Sequence, residues 1–447
     1  MSKQSNQYFE FLDWQFSTDS GLLQLNYFDS QYGDFTEQFV FPQVSKLRYE
    51  QIKQGLETAI NCLHWMAGVS YFKTSLAREI RCAKHIPSDE QAKWLTQTWQ
   101  SGLAELAYEN NLPWLDYIAF PKHPMPSQHL KVDLKPRSLV AIGGGKDSMV
   151  SIEMLKGLSE EMSLFMVGQS TFIKSVANRT ALPLMQVKRT VDSRLKAAND
   201  KGAYNGHVPI TAINSCVAVV TALICDYDSV VFSNERSADV GNVKDHQGRW
   251  VNHQYSKSFE FEQAWQSIIK CDIALNLNYF SILRPFSELA IVKKFAHLKQ
   301  YFPYFSSCNR NFHLSGSKNQ DNHWCGECAK CAFVFLCLSP FVSRDELVSI
   351  FRKNLFADQE LNELFSALLG IKGLKPFECV GEAQECRTAL RMVSQHPDWL
   401  GDKDITNWIE QIEGFDDGES DKIFQINRLH QIPEIRNFIQ ALTYEFA

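Results

Sequence analysis

The chain has 447 residues, a length that favours two or three domains over one. Hydrophobic residues make up 45% and charged residues 21%, which is typical of a globular protein with a large core. The formal net charge of −6 argues against a broadly basic nucleic-acid-binding surface, although a local basic pocket for a small anion remains compatible with it.

The N-terminal residues lack a basic segment followed by an apolar one, so no secretory signal is predicted. The longest apolar run, residues 216–225, is about half the ~20 residues that cross a bilayer, and it predicts a buried helix. We therefore expect a cytoplasmic protein with no membrane partner. In that compartment the 12 cysteines should stay reduced, and their clustering indicates metal binding instead of disulfides.

The first 135 residues mix strand-like and helical patterns. Residues 8–14 and 21–28 are rich in aromatic or aliphatic side chains and predict two paired strands. Residues 48–66 and 89–110 have helical periodicity, and the prolines in residues 123–128 indicate a linker. We assign residues 1–135 to an N-terminal α+β domain.

Residues 136–340 follow a strand, glycine turn, helix, strand pattern. Short apolar strands are predicted at residues 139–142, 163–167 and 229–233, with a helix at residues 147–158. Such alternation predicts an α/β domain whose parallel sheet is covered on both faces, with ligands bound beyond the carboxyl ends of its strands. Residues 341–447 are predicted to form a helical C-terminal region, with clear helical segments at residues 344–354 and 359–369.

A glycine-rich loop joins the first of these strands to its helix and is a candidate anion site. It consists of Gly143, Gly144, Gly145, Lys146, Asp147 and Ser148. Glycine permits positive φ and brings backbone N–H groups onto a phosphate, while the helix N-terminus adds partial positive charge. Lys146 adds a full charge and Ser148 a hydroxyl donor. Asp147 is either a metal contact or an acid that complements the helix dipole.

The spacing of this loop excludes two known phosphate-binding patterns and fits a third. It is too short for a Walker A loop, and Ser148 stands where G-x-G-x-x-G requires its last glycine. It resembles the loop of the ATP pyrophosphatases, usually Ser-Gly-Gly-Lys-Asp-Ser, and departs from it only in having Gly143 in place of serine. This resemblance implies a PP-loop domain over residues 136–340 that binds ATP and Mg²⁺ and transfers AMP to a carboxyl or carbonyl oxygen, releasing diphosphate.

Four cysteines form a candidate metal site. Cys325, Cys328 and Cys331 have C-x2-C-x2-C spacing, and Cys308 lies upstream, so four thiolates could surround one tetrahedral ion. The 7-cyano-7-deazaguanine synthases carry a similar knuckle with a shorter first gap; the longer gap here leaves His313 and His323 as alternative fourth ligands. We expect structural Zn²⁺, with an iron–sulfur cluster or unliganded buried cysteines as the alternatives.

With these motifs assembled, the chain resembles the UDP-N-acetylmuramoyl-L-alanyl-L-glutamate epimerase family of bacterial peptidoglycan synthesis over almost its whole length. Besides the loop and the cysteines, the resemblance is carried by residues 68–73, 205–211, 231–237, 252–257, 284–289 and 375–382. It implies ATP- and Mg²⁺-dependent inversion of the terminal L-glutamate of that UDP-muramoyl dipeptide, with AMP and diphosphate as products. Adenylation would remove the charge of the α-carboxylate and acidify the α-proton, which a base could then remove from one face before reprotonation on the other.

Several polar residues are candidates for proton transfer and substrate binding. His207, Glu235 and His253 follow predicted strands or lie in polar segments, and we assign them to catalysis, although His207 could equally be a turn residue. Glu378 and Cys379 are further proton carriers by chemistry, with a packed role favoured for Cys379. Three cations are candidates for binding the substrate's diphosphate or carboxylates, each with a surface position as the alternative: Arg236, Lys257 and Arg284.

Two other classes of function share the loop. One is another ATP pyrophosphatase activity on RNA or a small carboxylate, such as tRNA modification or thiolation, and the other is a non-enzymatic nucleotide sensor. The acidic net charge and the absence of a basic tract disfavour RNA, so we expect a small-molecule partner and no nucleic acid. The sequence does not determine the oligomeric state.

Overall fold

A computed structural model describes residues 7–158, 160–311, 323–415, 420–436, 438–439 and 442. The strands are β1 (Tyr8–Phe16), β2 (Leu22–Asp29), β3 (Gly33–Val40), β4 (Glu79–Cys82), β5 (Lys135–Ala141), β6 (Met162–Val167), β7 (Leu184–Thr190), β8 (Tyr227–Phe232), β9 (Val243–Lys244), β10 (Trp250–Val251) and β11 (Asn278–Ser281). The helices are α1 (Lys46–Ala67), α2 (Val69–Phe72), α3 (Asp89–Gly102), α4 (Ala104–Glu109), α5 (Lys146–Gly157), α6 (Thr171–Arg179), α7 (Arg194–Asp200), α8 (Ile210–Cys225), α9 (Phe259–Ile268), α10 (Glu288–Phe295), α11 (Ala329–Leu338), α12 (Arg344–Phe351), α13 (Asn362–Leu368), α14 (Ala383–Gln395) and α15 (Lys403–Ile412).

Most of the predicted elements are confirmed. β1 and β2 pair in antiparallel register, α1 and α5 match the predicted helices, and the apolar run that ends at Cys225 is the buried helix α8. The helix predicted at residues 89–110 is interrupted, because α3 ends at Gly102 and α4 begins at Ala104. Gly102 has weak helix propensity, and a Cβ there would lie 2.7 Å from Pro209, so the break admits a close contact.

A nine-stranded, mostly parallel sheet forms the centre of the molecule, in the order β11-β8-β5-β6-β7-β3-β2-β1-β4. The five strands from β11 to β7 are parallel, β3, β2 and β1 continue antiparallel, and β4 is parallel to β1. The sheet crosses the predicted domain boundary at residue 135, because Val40 of β3 pairs with Lys188 of β7. The fold is therefore mixed α/β with one continuous sheet, and the division into residues 1–135, 136–340 and 341–447 stays a prediction.

Hydrophobic cores lie on both faces of the sheet. Successive residues of β5 point to opposite faces, so Leu139 joins the core packed by α1 and α8 whereas Val140 joins the core packed by α5, α10 and α11. The first core extends along the chain from Phe9 to Tyr279, and helices after residue 340 pack on the second. Among the described helices, none combines the length and apolar character that a membrane span requires.

The strand order places a crevice beside β5. The chain runs from β5 through β6 to β7 on one side and then returns to β8 on the other side of β5. Such a reversal leaves an opening outside the carboxyl ends of the two strands, where α/β proteins bind ligands. The glycine loop follows β5 and Glu235 follows β8, so both predicted site segments lie at this crevice.

Candidate active site

A cavity of about 350 Å³ opens at the carboxyl ends of β5 and β8. The glycine loop contributes Gly143, Gly145, Asp147 and Ser148 to one wall, and Glu235 contributes to another. The glycine loop and the segment after β8, which the sequence predicts separately, therefore line the same cavity.

The glycine loop has the backbone that its composition predicts. Gly144 has φ of +79°, and a Cβ on it would lie 2.6 Å from the Phe172 ring, so this position requires glycine. At Gly143 an added Cβ meets nothing within 4 Å, so this position has room for the serine that is usual in ATP pyrophosphatase loops. Gly145 caps α5 without a side-chain hydrogen bond to the first turn, which leaves N–H groups there for an anion.

Lys146 is buried between two carboxylates. Its Nζ lies 2.5 Å from Asp147 Oδ1 and makes a very short contact with Glu288 Oε2, at the start of α10. Burial alone would lower the pKa of Lys146, but the charges of Asp147 and Glu288 outweigh it and raise that pKa. Burial raises the pKa of the Glu288 carboxyl. Sequence reasoning missed Glu288, although its segment carried the family resemblance.

Cys379 and Lys257 also face the cavity. Lys257 Nζ donates a hydrogen bond to Cys379 Sγ at 2.9 Å, and His253 is hydrogen-bonded to the same thiol. Burial would raise the pKa of Cys379, but the charge of Lys257, the hydrogen bond with His253 and the charge of Lys330 together lower it to about 5. The thiol that we expected to be packed thus lines the cavity, and its lowered pKa favours the thiolate at neutral pH.

Two histidines and a glutamate lie behind this thiolate. His253 Nδ1 contacts the Glu105 carboxylate very closely, and the rings of His207 and His253 are 4.3 Å apart. Burial opposes protonation of His253, but Cys379 and Glu105 raise its pKa to about 9; burial, His253 and Lys257 lower the pKa of His207 to about 3. The ligand atoms of Glu105, His207 and His253 lie within 4.8 Å of one another, a spacing compatible both with a network that shares protons and with a metal ion.

This network is held by residues far away in sequence. Glu105 belongs to the short helix α4, and no sequence pattern singles it out. Lys73 Nζ donates to Asn205 Oδ1 at 2.8 Å and to the Gly206 carbonyl at 3.3 Å, which fixes the segment before His207. Hydrogen bonds from Lys73 thus join residues 68–73 to residues 205–211, two of the segments that carry the family resemblance.

The structure separates the three predicted substrate-binding cations. Lys257 lines the cavity. Arg284 is fully buried, pairs with Glu262 at 2.9 Å, and donates to the carbonyls of Glu235 at 2.9 Å and Lys257 at 2.7 Å. Arg284 is therefore placed to position two cavity residues instead of contacting a ligand. Arg236 is half-buried, and its charge acts on the buried Glu385 carboxyl.

The four predicted cysteine ligands come together and could hold a metal ion. The sulfurs of Cys308, Cys325, Cys328 and Cys331 all lie within 4.8 Å of one another. Cys331 Sγ is 3.7 Å from Cys325 Sγ and 3.5 Å from Cys328 Sγ. Cys308 completes the set, so His323 is not needed as a ligand, and His313 lies outside the described residues.

The cysteine cluster is tied to the cavity by its own segments. Lys330, between two of the cysteines, lines the cavity; its N–H donates to Glu378 Oε2 at 2.7 Å and its Nζ to the Cys379 carbonyl. On the other side the Ser306 N–H donates to the Gly144 carbonyl at 3.0 Å. Sequence reasoning missed Lys330, whose only signal was its position inside the knuckle.

Comparison with known proteins identifies the family. Family models described as the MurL N-terminal domain and the MurL C-terminal domain match residues 1–282 and 304–423. A protein of Xanthomonas oryzae named UDP-N-acetyl-alpha-D-muramoyl-L-alanyl-L-glutamate epimerase is 38% identical, covering 95% of each chain. A Micromonospora protein of the same name is 38% identical over 82% of this chain and 81% of its own. The chain belongs to the MurL family.

Both MurL domains contribute to the cavity. The glycine loop, Glu235 and Lys257 come from the MurL N-terminal domain, whereas Lys330 and Cys379 come from the MurL C-terminal domain. Glu288 lies between the two matched ranges. The cavity is thus complete only when the two domains of this MurL-family protein are together.

Proposed function

We propose that this MurL-family protein inverts the terminal L-glutamate of UDP-N-acetylmuramoyl-L-alanyl-L-glutamate through an acyl-adenylate, releasing AMP and diphosphate. The observation that carries the proposal is that an anion-binding glycine loop and a set of acid–base side chains face one cavity. The first group suits adenylation and the second suits proton transfer, and an epimerase that activates its substrate needs both. The names of the related proteins supply the substrate.

The loop is suited to the phosphates of ATP, in a PP-loop arrangement with a helical C-terminal extension. The free N–H groups at the start of α5 and the Lys146 ammonium would bind the diphosphate that leaves. Apolar walls made by Ile142, Phe165 and Ile173 offer a surface for a nucleobase. Asp147 and Glu288 are hard oxygen donors of the kind that holds Mg²⁺, which would neutralise charge on the leaving group.

For proton transfer the candidates are Glu235 at the cavity wall and His253 and His207 behind it. Glu235 is buried and lines the cavity, so its carboxylate can reach a bound substrate. His253 is held protonated by Glu105 and Cys379, so it can donate, whereas the low pKa of His207 leaves its ring neutral. Lys257 and Arg236 remain our candidates for binding substrate carboxylate or diphosphate, and we reassign Arg284 to positioning.

We further propose that the cysteine cluster holds one structural Zn²⁺. Four thiolates at Zn–S distances of ~2.3 Å would have sulfurs ~3.8 Å apart in a tetrahedron. The spacings of 3.7 and 3.5 Å fit that geometry. An iron–sulfur cluster distributes its thiolates over several irons and needs wider spacing, so a single ion is favoured.

The test is an assay with Mg-ATP and the UDP-muramoyl dipeptide that measures both diphosphate and the chirality of glutamate after hydrolysis. We expect D-glutamate with stoichiometric diphosphate, and loss of both in Lys146→Ala. The matched control is Lys156→Ala, which changes a partly exposed lysine on the same helix and should behave as wild type. Diphosphate without inversion would move the substrate elsewhere. Folded, ATP-binding protein with neither product would reject the epimerase and favour a nucleotide sensor or an RNA substrate.

A further inference from the structure

We propose that the Cys379 thiolate is the base that removes the α-proton of the adenylated glutamyl residue. The inference rests on the proposed function and deepens it by naming a catalytic residue that sequence reasoning assigned to packing.

The geometry distinguishes Cys379 from the two candidate histidines; Glu235 shares the cavity wall with it. Cys379 lines the same cavity as the glycine loop, whereas His207, His253 and Glu105 lie behind it and are not part of the cavity wall. Lys257 Nζ donates a hydrogen bond to its sulfur at 2.9 Å, and His253 interacts with the same sulfur. A substrate carbonyl activated at the loop would therefore meet the sulfur before it met either imidazole.

The surroundings keep this sulfur ionised. The charged groups that act on it are Lys257, His253 and Lys330, which come from three separate segments and are all cationic. They hold the pKa of Cys379 near 5, so the thiolate dominates at neutral pH. Cys62 and Cys216 give the contrast, since burial without such cations raises the pKa of both thiols. A cysteine that served only to pack would need none of these partners.

The step balances with groups that are present. The Cα–H bond of the glutamyl adenylate breaks, its proton goes to Cys379 Sγ, and the electron pair enters the enolate of the adenylated carboxyl. The opposite face of the α-carbon then takes a proton from a solvent-exchangeable donor, and the Cys379 thiol returns its proton to water. Lys257 stays protonated throughout and offsets the negative charge that moves from sulfur to the enolate.

The first experiment separates adenylation from inversion in D₂O. Wild type, Cys379→Ser and the control Cys271→Ser, a cysteine outside the cavity wall, are compared for ATP–diphosphate exchange and for deuterium at the glutamyl α-carbon. We expect Cys379→Ser to keep the exchange but to lose inversion and deuterium uptake by ~10² or more, the scale of a missing general base. Cys271→Ser should match wild type in both.

Two outcomes would overturn the proposal. One is inversion by Cys379→Ser within about threefold of wild type, since a serine hydroxyl of ordinary pKa is no substitute for a thiolate base. The other is loss of exchange together with inversion in a folded Cys379→Ser, which would make Cys379 part of adenylate binding. Absence of exchange in wild type would instead reject the proposed function, so the two failures are distinguishable.

A second measurement reports the thiolate directly. Alkylation of Cys379 by iodoacetamide, followed by mass spectrometry, should rise through pH about 5 in wild type. In Lys257→Met the rise should move to higher pH, because the nearest cation is gone, and bound Mg-ATP with substrate should protect the sulfur. A wild-type profile that rises only near pH ~8.5, the ordinary thiol value, would overturn the proposal.

Discussion

Arg284 and Lys257 are both cations that the sequence predicts to bind substrate, but their surroundings favour different roles. Lys257 keeps its ammonium at the cavity wall, where it donates to Cys379 Sγ. Arg284 is fully buried, and its guanidinium spans Glu262 and two backbone carbonyls. A planar, five-donor group suits such bridging, which a point charge does not. At the residue scale, burial and partners decide between binding a ligand and positioning the groups that bind it.

Replacing Arg284 by methionine should therefore destabilise the fold more than it weakens substrate binding. Glu262 would be left buried and unpaired, and losing one partner of a buried ion pair costs ~3–5 kcal/mol. We expect a lower urea midpoint and a lower kcat, with little change in KM for the UDP-muramoyl dipeptide in the folded fraction. Arg344→Met removes a more exposed pair with Asp402 and should cost under ~1 kcal/mol. A raised KM with unchanged stability would restore the substrate-binding assignment of Arg284.

In the loop between β5 and α5, identical residues have different backbone conformations and different neighbours. Its three glycines are alike in sequence, but Gly144 has positive φ and lies against Phe172, whereas Gly143 has open space where a side chain would be. The Ser306 N–H then ties the Gly144 carbonyl to the segment that leads to Cys308. The loop is thus built from its own backbone together with the cysteine region.

A pair of substitutions tests this difference between the glycines. Gly144→Ala forces a Cβ into the Phe172 ring at a φ that costs ~1–2 kcal/mol for L-residues, so ATP–diphosphate exchange should fall ~10-fold or more. Gly143→Ser places the residue usual in ATP pyrophosphatase loops into free space and should keep near wild-type exchange. Equal losses in the two variants would mean that the loop conformation differs from the one described.

The cysteine knuckle acts as an element that holds Lys330 and the Glu378–Cys379 segment at the cavity. We expect one zinc ion per chain by elemental analysis. Cys328→Ser should lose the metal and, with it, both inversion and the low-pH alkylation of Cys379, because Lys330 loses its anchor. Cys337→Ala, on the same helix α11 but outside the cluster, should keep its zinc. Iron with acid-labile sulfide in place of zinc would favour the iron–sulfur alternative.

At the scale of the whole molecule, the continuous sheet makes the folding of residues 1–135 and of the residues after them interdependent. β7 of the parallel region pairs with β3, and α8 packs against α1 within a core that reaches back to Phe9. The cavity in turn draws its wall from both MurL domains. A cut at residue 135 would expose the edge of β7 and the apolar surface of α8.

We therefore expect the fragment 136–447 to lack a stable fold, although the sequence predicts a domain boundary there. The full chain should unfold with its near-UV circular dichroism and its tryptophan fluorescence changing together, as expected for one cooperative transition. The fragment should show weak near-UV signal and no cooperative melting. A cooperatively melting fragment would support the predicted boundary and contradict the dependence of α8 on α1.

The sequence by itself determined the features that depend on local spacing. Phosphate binding needs consecutive N–H groups after a strand, and a tetrahedral metal needs closely spaced thiolates, so the glycine loop and three of the four cysteines are readable from neighbouring residues. The strands β5, β6 and β8 and the buried helix α8 follow from apolar runs of the right length. The resemblance to the epimerase family over almost the whole chain added the substrate.

Only the tertiary structure decided which side chains share a charge or a proton. Lys146 meets Glu288 across 142 residues of sequence, His253 meets Glu105 across 148, and Lys257 meets Cys379 across 122. The lowered pKa of Cys379 and the buried ion pair of Arg284 depend on burial and on neighbours that no local pattern encodes. The same holds for the joining of β3 to β7, because strand pairing between distant segments depends on the fold as a whole.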